Sequence, residues 1–170
     1  YGTVTGKAKL FATNFQAECE KKGFKDSKVF DMRNYDPEDS LLSDLKDGTI
    51  LVLFVSTYTD GTPPENAAWF YKYVTEMACD FRFQKDALKG LAYSVCGLGN
   101  SLYEENFNKI AVELDRSFAD VQAVRVAPLY LCDENTILSK HGSLEADVAY
   151  WSNCFFEKLE YYLLNRNING

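Results

Sequence analysis

Residues 50–55, Ile50-Leu-Val-Leu-Phe-Val55, form an unbroken apolar run that Ser56 closes. Six consecutive apolar side chains leave no polar face. As a strand the run must therefore be covered on both sides, which is the condition of a central strand in a parallel sheet flanked by helices. Val29–Met32, Leu91–Cys96 and Val124–Leu131 read as further strands. Between them the apolar residues recur at helical spacing: Ala8, Phe11, Phe15 and Cys19; Phe107, Ile110, Leu114 and Phe118; and Leu144, Val148, Trp151, Phe155 and Leu159. Such stripes are core faces. The alternation predicts a doubly wound α/β domain. With 170 residues, 46% of them hydrophobic, the chain is long enough for one well-filled core and too short for two ordinary domains, so residues 1–170 are expected to form one domain.

Local signals mark the same divisions. Gly23 closes the first helix and Gly142-Ser143 precedes the last. Thr62-Pro-Pro-Glu65 reads as an N-cap, a proline in the first turn and a capping-box glutamate, so the third helix is expected to start there. Asp36, Glu38 and Asp39 read as a solvated first turn of a helix or, alternatively, as charges facing a partner. A helix opening at Gly6 needs a strand feeding the turn Tyr1–Thr5, and the sequence starts inside that turn. A strand is expected to precede Tyr1, because a doubly wound sheet lacking it would expose two unpaired edges.

The net charge of −7 argues against direct nucleic-acid binding, since affinity for a phosphate backbone comes from clustered Lys and Arg. An acidic surface suits docking on a basic partner. Cys19, Cys79, Cys96, Cys132 and Cys154 are odd in number, lie far apart and lack CxxC or CxxxCxxC spacing, so they read as buried thiols rather than a metal or cluster ligand set. His141, the one histidine, reads as an exposed loop residue without a metal partner. No apolar run approaches the roughly 20 residues a membrane helix needs, and no leader-like segment opens the sequence. A soluble cytoplasmic protein is expected.

Ligands of a doubly wound sheet bind beyond the carboxyl ends of its strands, which directs attention to three loops. Thr3-Val-Thr-Gly-Lys-Ala8 leads hydroxyls and a glycine into a helix start, where free N–H groups and the helix dipole favour a phosphate. It matches neither the dinucleotide nor the triphosphate fingerprint. Ser56-Thr-Tyr-Thr-Asp-Gly61 follows the strongest strand, and Tyr58 there offers a flat face to a planar ring. Cys96-Gly-Leu-Gly-Asn-Ser-Leu-Tyr103 combines two glycines that permit close backbone approach with a second tyrosine, Phe107 and Asn108 lying just beyond. Separately, each loop is equally an ordinary cap or turn. Together, a phosphate cradle and two tyrosine loops suit a flavin mononucleotide.

These three loops resemble the phosphate loop and the two isoalloxazine loops of long-chain flavodoxins and diflavin reductases. Residues 57–70 (TYTDGTPPENAAWF), 80–83 (DFRF) and 139–147 (SKHGSLEAD) with Trp151 narrow the match. Over nearly its whole length the chain is similar to the flavodoxin-like domain of the wybutosine-synthesizing tRNA 4-demethylwyosine synthases. The resemblance implies a five-stranded flavodoxin-like sheet holding FMN, with no catalytic acid, nucleophile or metal in this chain. It implies that Thr3, Val4, Thr5, Gly6, Lys7 and Ala8 hold the phosphate and that Tyr58 and Tyr103 flank the ring. Ser56, Thr57, Thr59, Gly61, Cys96, Gly97, Leu98, Gly99, Asn100, Phe107 and Asn108 line the site, and the loop around Leu131 to Asp133 closes it. Thr3 and Val4 stand where Ser and Gln are common, and Thr59 where reductases often have Gly.

In that family the domain precedes a radical-SAM domain, whose four-iron four-sulfur cluster and S-adenosylmethionine carry out the tRNA chemistry. The implied role is electron supply to that cluster. A reductase or NADPH is the donor, and tRNA is bound through the other domain. Two alternatives share the three loops: the FMN domain of an NADPH-dependent diflavin reductase, and a flavodoxin-like docking module without flavin.

Overall fold

The computed structural model describes residues 1–169, and four parallel strands with five long helices build it. In chain order these are α1 (Lys7–Lys21), α2 (Pro37–Asp47), β1 (Ile50–Ser56), α3 (Ala68–Cys79), β2 (Ala92–Gly99), α4 (Lys109–Asp120), β3 (Val124–Arg125), β4 (Tyr130–Asp133) and α5 (Leu144–Asn169). β1 and β2 pair in parallel from Ile50 opposite Ala92 to Ser56 opposite Leu98. The other edge of β2 pairs with β3 near its start and with β4 near its end.

The continuous apolar run is covered on both faces, as its composition requires, but among the described residues β1 ends the strand order instead of lying centrally, with a single bridge from Gly2 to Val55 on its other side. Leu53 and Val55 face a core formed with α2, α3 and α4, whereas Phe54 faces a second core formed with α1 and α5. The three helical stripes point into these cores except at Cys19 and Phe107, which belong to neither. Trp151, Phe155 and Phe118 are almost fully enclosed, each contributing on the order of 1.5–3 kcal/mol by burial. Cys19, Cys96 and Cys132 are buried free thiols, while Cys79 is exposed and Cys154 half-buried.

Four expected boundaries move, each for a physical reason. Val29–Met32 is not a strand: Tyr1 N donates to the Phe30 carbonyl (2.7 Å) and Met32 N to the Tyr1 carbonyl (3.0 Å), and a 3-10 turn over Met32–Asn34 then ends the pairing. The sheet accordingly has four strands among the described residues. Val124–Leu131 divides into β3 and β4 because Pro128 has no N–H to continue the ladder. β2 runs on through Gly97, Leu98 and Gly99, which are strand residues and not a loop. The third helix starts at Ala68, after a 3-10 turn over Glu65–Ala67. Thr62 is not its cap. The hydroxyl and N–H of Thr62 are both spent on Asp60 Oδ1 (2.6 and 3.0 Å), and Pro63 and Pro64 keep the chain extended. Gly23 and Ser143 act as expected: Gly23 takes φ 98° past the end of α1, and Ser143 Oγ accepts from Ala146 N at the start of α5.

Along the free edge of β1 lies an open groove of about 490 Å3, lined by Phe15 and Cys19 of α1, Ser43 of α2, Val29, Leu51 and Val52. Gly2 N donates to the Phe54 carbonyl and Ser56 N to the Gly2 carbonyl (both 2.9 Å). By the alternation of a ladder, the main-chain groups of Ile50 and Val52 therefore face this groove.

Candidate functional site

The carboxyl ends of β1, β2 and β4 lie together, and hydrogen bonds tie four loops there into one unit. Gly2 is what lets the first loop lie down, since a Cβ on it would meet the Ala67 Cβ at 2.7 Å. Thr3 N then donates to Asn66 Oδ1 (2.9 Å), and Gly6 N to Thr3 Oγ1 (2.8 Å). Gly6 takes φ 93°, a left-handed conformation suited to glycine, and begins α1 without a side-chain cap. Among the described residues the N–H groups of Val4, Thr5, Lys7 and Ala8 have no acceptor. Four free donors at a helix start, beside the Lys7 cation, form a cradle for an oxyanion.

The second loop leaves β1 after Ser56. Gly61 N donates to the Tyr58 carbonyl (2.9 Å) and Tyr58 N to the Thr62 carbonyl (3.0 Å), so Tyr58 rides on a tight turn and stays 37% exposed. The hydrogen bonds from Thr62 hold the Asp60 carboxyl below the usual carboxylate range. This loop is sewn to the third: Asn106 Nδ2 donates to the Thr59 carbonyl (3.0 Å), and Thr57 Oγ1 accepts from Ile110 N (3.1 Å).

In the third loop Asn100 Oδ1 accepts from Leu102 N (3.0 Å), which starts the turn that presents Tyr103 at 41% exposure. Asn108 sits fully buried in the left-handed region (φ 54°), with Nδ2 donating to the Cys132 carbonyl (3.1 Å). Gly97 and Gly99 make room for it, because a Cβ on either would lie 2.7–2.8 Å from Asn108. Among the described residues, the buried Asn108 Oδ1 and Ser101 Oγ have no partner. Orphaned buried polar atoms are costly, and at a cleft they mark where a ligand atom belongs. Cys96 does not reach the cleft: it is buried against Cys132, Sγ to Sγ 3.6 Å, and burial together with that neighbour pushes its thiol well up. Phe107 is half-buried beneath the loop.

The loop after β4 completes the set. Asp133 Oδ1 accepts from Ser101 N (3.0 Å) and Asn135 N (2.9 Å), while Asp133 N donates to Asp147 Oδ2 (2.9 Å). Asp147, only 1% exposed, also accepts from His141 N (3.2 Å) and His141 Nδ1 (2.9 Å). His141 is an exposed turn residue, as expected from sequence, and its ring also stacks on Tyr150 at 4.2 Å. Tyr130, packed nearby, is pushed up to about 12 by burial and by the Asp147 charge. Lys7 pairs with Glu134, joining the last loop to the first. Leu131 is partly exposed at the same rim. Asn106 and Glu134 carry no sequence signal, and Asn66 and Asp147 enter the sequence reading only as members of the segments 57–70 and 139–147, because each acts on a residue remote in the chain.

A donor-rich cradle and two exposed tyrosines, on loops that also carry the unpartnered Asn108 Oδ1 and Ser101 Oγ, fit a phosphorylated planar cofactor such as FMN. The flavodoxin family profile matches residues 1–151. The chain belongs to the flavodoxin family. The S-adenosyl-L-methionine-dependent tRNA 4-demethylwyosine synthase of Mus musculus is 41% identical over 160 residues, which make up 94% of this chain and 22% of that protein. The NADPH–cytochrome P450 reductase of Musca domestica is 32% identical over 156 residues, 92% of this chain and 21% of the reductase. This flavodoxin-family chain thus spans about a fifth of the length of such curated relatives. A flavodoxin from Pseudomonas aeruginosa superimposes with a TM-score of 0.68 at 24% identity, covering 94% of this chain and 95% of that one, a likeness of fold. Among the described residues no helix is long and apolar enough to cross a membrane, and no cluster of three metal-ligating side chains occurs.

Proposed function

We propose that this chain is the FMN-binding electron-transfer part of a tRNA 4-demethylwyosine synthase, acting in the cytoplasm. It passes electrons to a four-iron four-sulfur cluster and S-adenosylmethionine held by a radical-SAM part of the same polypeptide. The observation that carries this is the four-loop site, in which the phosphate cradle and both tyrosines stand on loops hydrogen-bonded to one another. The higher identity to the synthase than to the reductase, 41% against 32%, favours the tRNA-modifying role over a diflavin reductase.

FMN, when bound, supplies the redox chemistry. Thr3, Val4, Thr5, Gly6, Lys7 and Ala8 would hold its phosphate, with Lys7 offering the nearby positive charge. Tyr58 and Tyr103 would cover the ring, and Ser56, Thr57, Thr59, Gly61, Gly97, Leu98, Gly99 and Asn100 would approach its edge through main chain and small side chains. Asn108 Oδ1 and Ser101 Oγ are the buried acceptors and donors left to meet it. Leu131 and Asp133 would close one rim of the site. The donor is a reductase or NADPH, and tRNA meets the other part of the polypeptide. A fifth strand of the flavodoxin type would lie in the groove beside β1, satisfying Ile50 and Val52.

The test is the visible absorption of the protein titrated with FMN, with Tyr58→Ala and Tyr103→Ala beside it. Flavin bands with quenched fluorescence, weakened in both variants, are expected. In the full polypeptide the same variants should lose tRNA product; undiminished product would overturn the electron-supply role, and a protein indifferent to FMN would favour a docking module.

A further inference from the structure

Asn66 lies outside the three loops, in the 3-10 turn Glu65–Ala67, yet its carboxamide is fully used on remote partners. Oδ1 accepts from Thr3 N (2.9 Å), while Nδ2 donates to the Tyr1 carbonyl (3.2 Å) and to Asp31 Oδ1 (3.1 Å). Asp31 is itself set by accepting from Arg33 N (2.9 Å). These partners are 63, 65 and 35 residues away in sequence. No other side chain offers one acceptor and two donor hydrogens on a plane of this size: aspartate cannot donate, and glutamine is longer by a methylene.

We infer that Asn66 is the positioning residue of the phosphate cradle, so that its amide decides whether this chain distinguishes FMN from flavins lacking the phosphate. The inference rests on the flavin reading above. Taking Thr3 N out of the cradle fixes the Thr3 peptide, and with it the hydroxyl that receives Gly6 N (2.8 Å). The N–H groups of Val4, Thr5, Lys7 and Ala8 are then held in one arrangement before any ligand arrives. The contact is close-packed, since Gly2 lies against Ala67, so the loop rests directly on the turn that carries Asn66. Preorganised donors bind an anion without paying the ordering cost at the moment of binding. Because the turn follows the Tyr58 loop directly, Asn66 also sets the distance between the phosphate end and the ring end of the site.

The experiment titrates FMN and riboflavin separately into the flavin-free full-length protein and its Asn66→Ala variant, following flavin fluorescence quenching. The expected result is an FMN dissociation constant raised about tenfold or more, as loss of one or two such hydrogen bonds implies, with riboflavin binding changed less than about twofold. Asp31→Ala, which removes an anchor of the amide but leaves Asn66 in place, should show the same selective loss at smaller size and keeps the test open if the first variant fails to fold. Equal weakening of both flavins, or of neither, overturns the inference and leaves the flavin reading intact. A wild-type protein that binds neither flavin overturns both.

Discussion

Replacing Asp147 by Asn should destabilise the protein by about 2 kcal/mol although it alters one atom. The carboxylate is 1% exposed and accepts three hydrogen bonds, from Asp133 N, His141 N and His141 Nδ1. An asparagine can present its oxygen to one side only, and its NH2 then faces donors. One or two charge-assisted bonds are lost, at about 1.5–3 kcal/mol each. Part of this is returned, because a neutral amide is less costly to bury than a carboxylate. Water can solvate the His141 side of the loop but not the buried Asp133 N–H, which keeps the net loss near the lower end. For a chain of this size, about 2 kcal/mol lowers Tm by roughly 4–8 °C. The loss should extend to the site, because Asp133 also holds Ser101 N. The assay is a thermal melt by circular dichroism, with FMN affinity measured on the same samples. A Tm within about a degree of wild type would refute the claim that this buried carboxylate pins the two loops.

Three further outcomes follow from the geometry. Gly97→Ala places a Cβ 2.7 Å from Asn108 Oδ1 and 2.8 Å from the Ala111 Cβ, so it should cost about 1–3 kcal/mol in chemical denaturation and weaken FMN binding; wild-type stability would show that Asn108 yields freely. Burial raises the Cys19 thiol from 9.0 to about 11, so the neutral form stabilises the fold. That contribution is complete below pH 9 and lost as pH rises through 11, and the Tm of Cys19→Ala should therefore fall less than that of wild type across this window. If a fifth strand fills the groove beside β1, the Val52 and Phe54 amides will exchange slowly in the full polypeptide and faster in residues 1–170 alone, by hydrogen–deuterium exchange; equal rates would leave the groove empty.

Much of the architecture is legible in one dimension because it depends on near neighbours. An apolar run with no polar face must be covered on both sides, and Leu53 and Phe54 indeed enter opposite cores. Helical stripes, the glycine at position 23 and the serine at 143 act within a few residues of themselves. The three loops at the strand ends are visible for the same reason, each being a contiguous segment with its own turn residues, although the third begins only after Gly99, where β2 ends. Where pairing needs a distant partner, the reading fails. Val29–Met32 has the residues of a strand, but its neighbour on the sheet side is Tyr1, and two hydrogen bonds do not make a ladder. Thr62 has the pattern of a cap, yet Asp60 competes for it. The supports of the site, Asn66 under Thr3, Asn106 on Thr59, Glu134 on Lys7 and Asp147 behind Asp133, cross 63, 47, 127 and 14 residues. No periodicity encodes such contacts. Local composition selects the strands, helices and loops, whereas the position of those loops against one another exists only once the sheet has gathered its strand ends, since a hydrogen bond between remote residues has no trace in either residue alone.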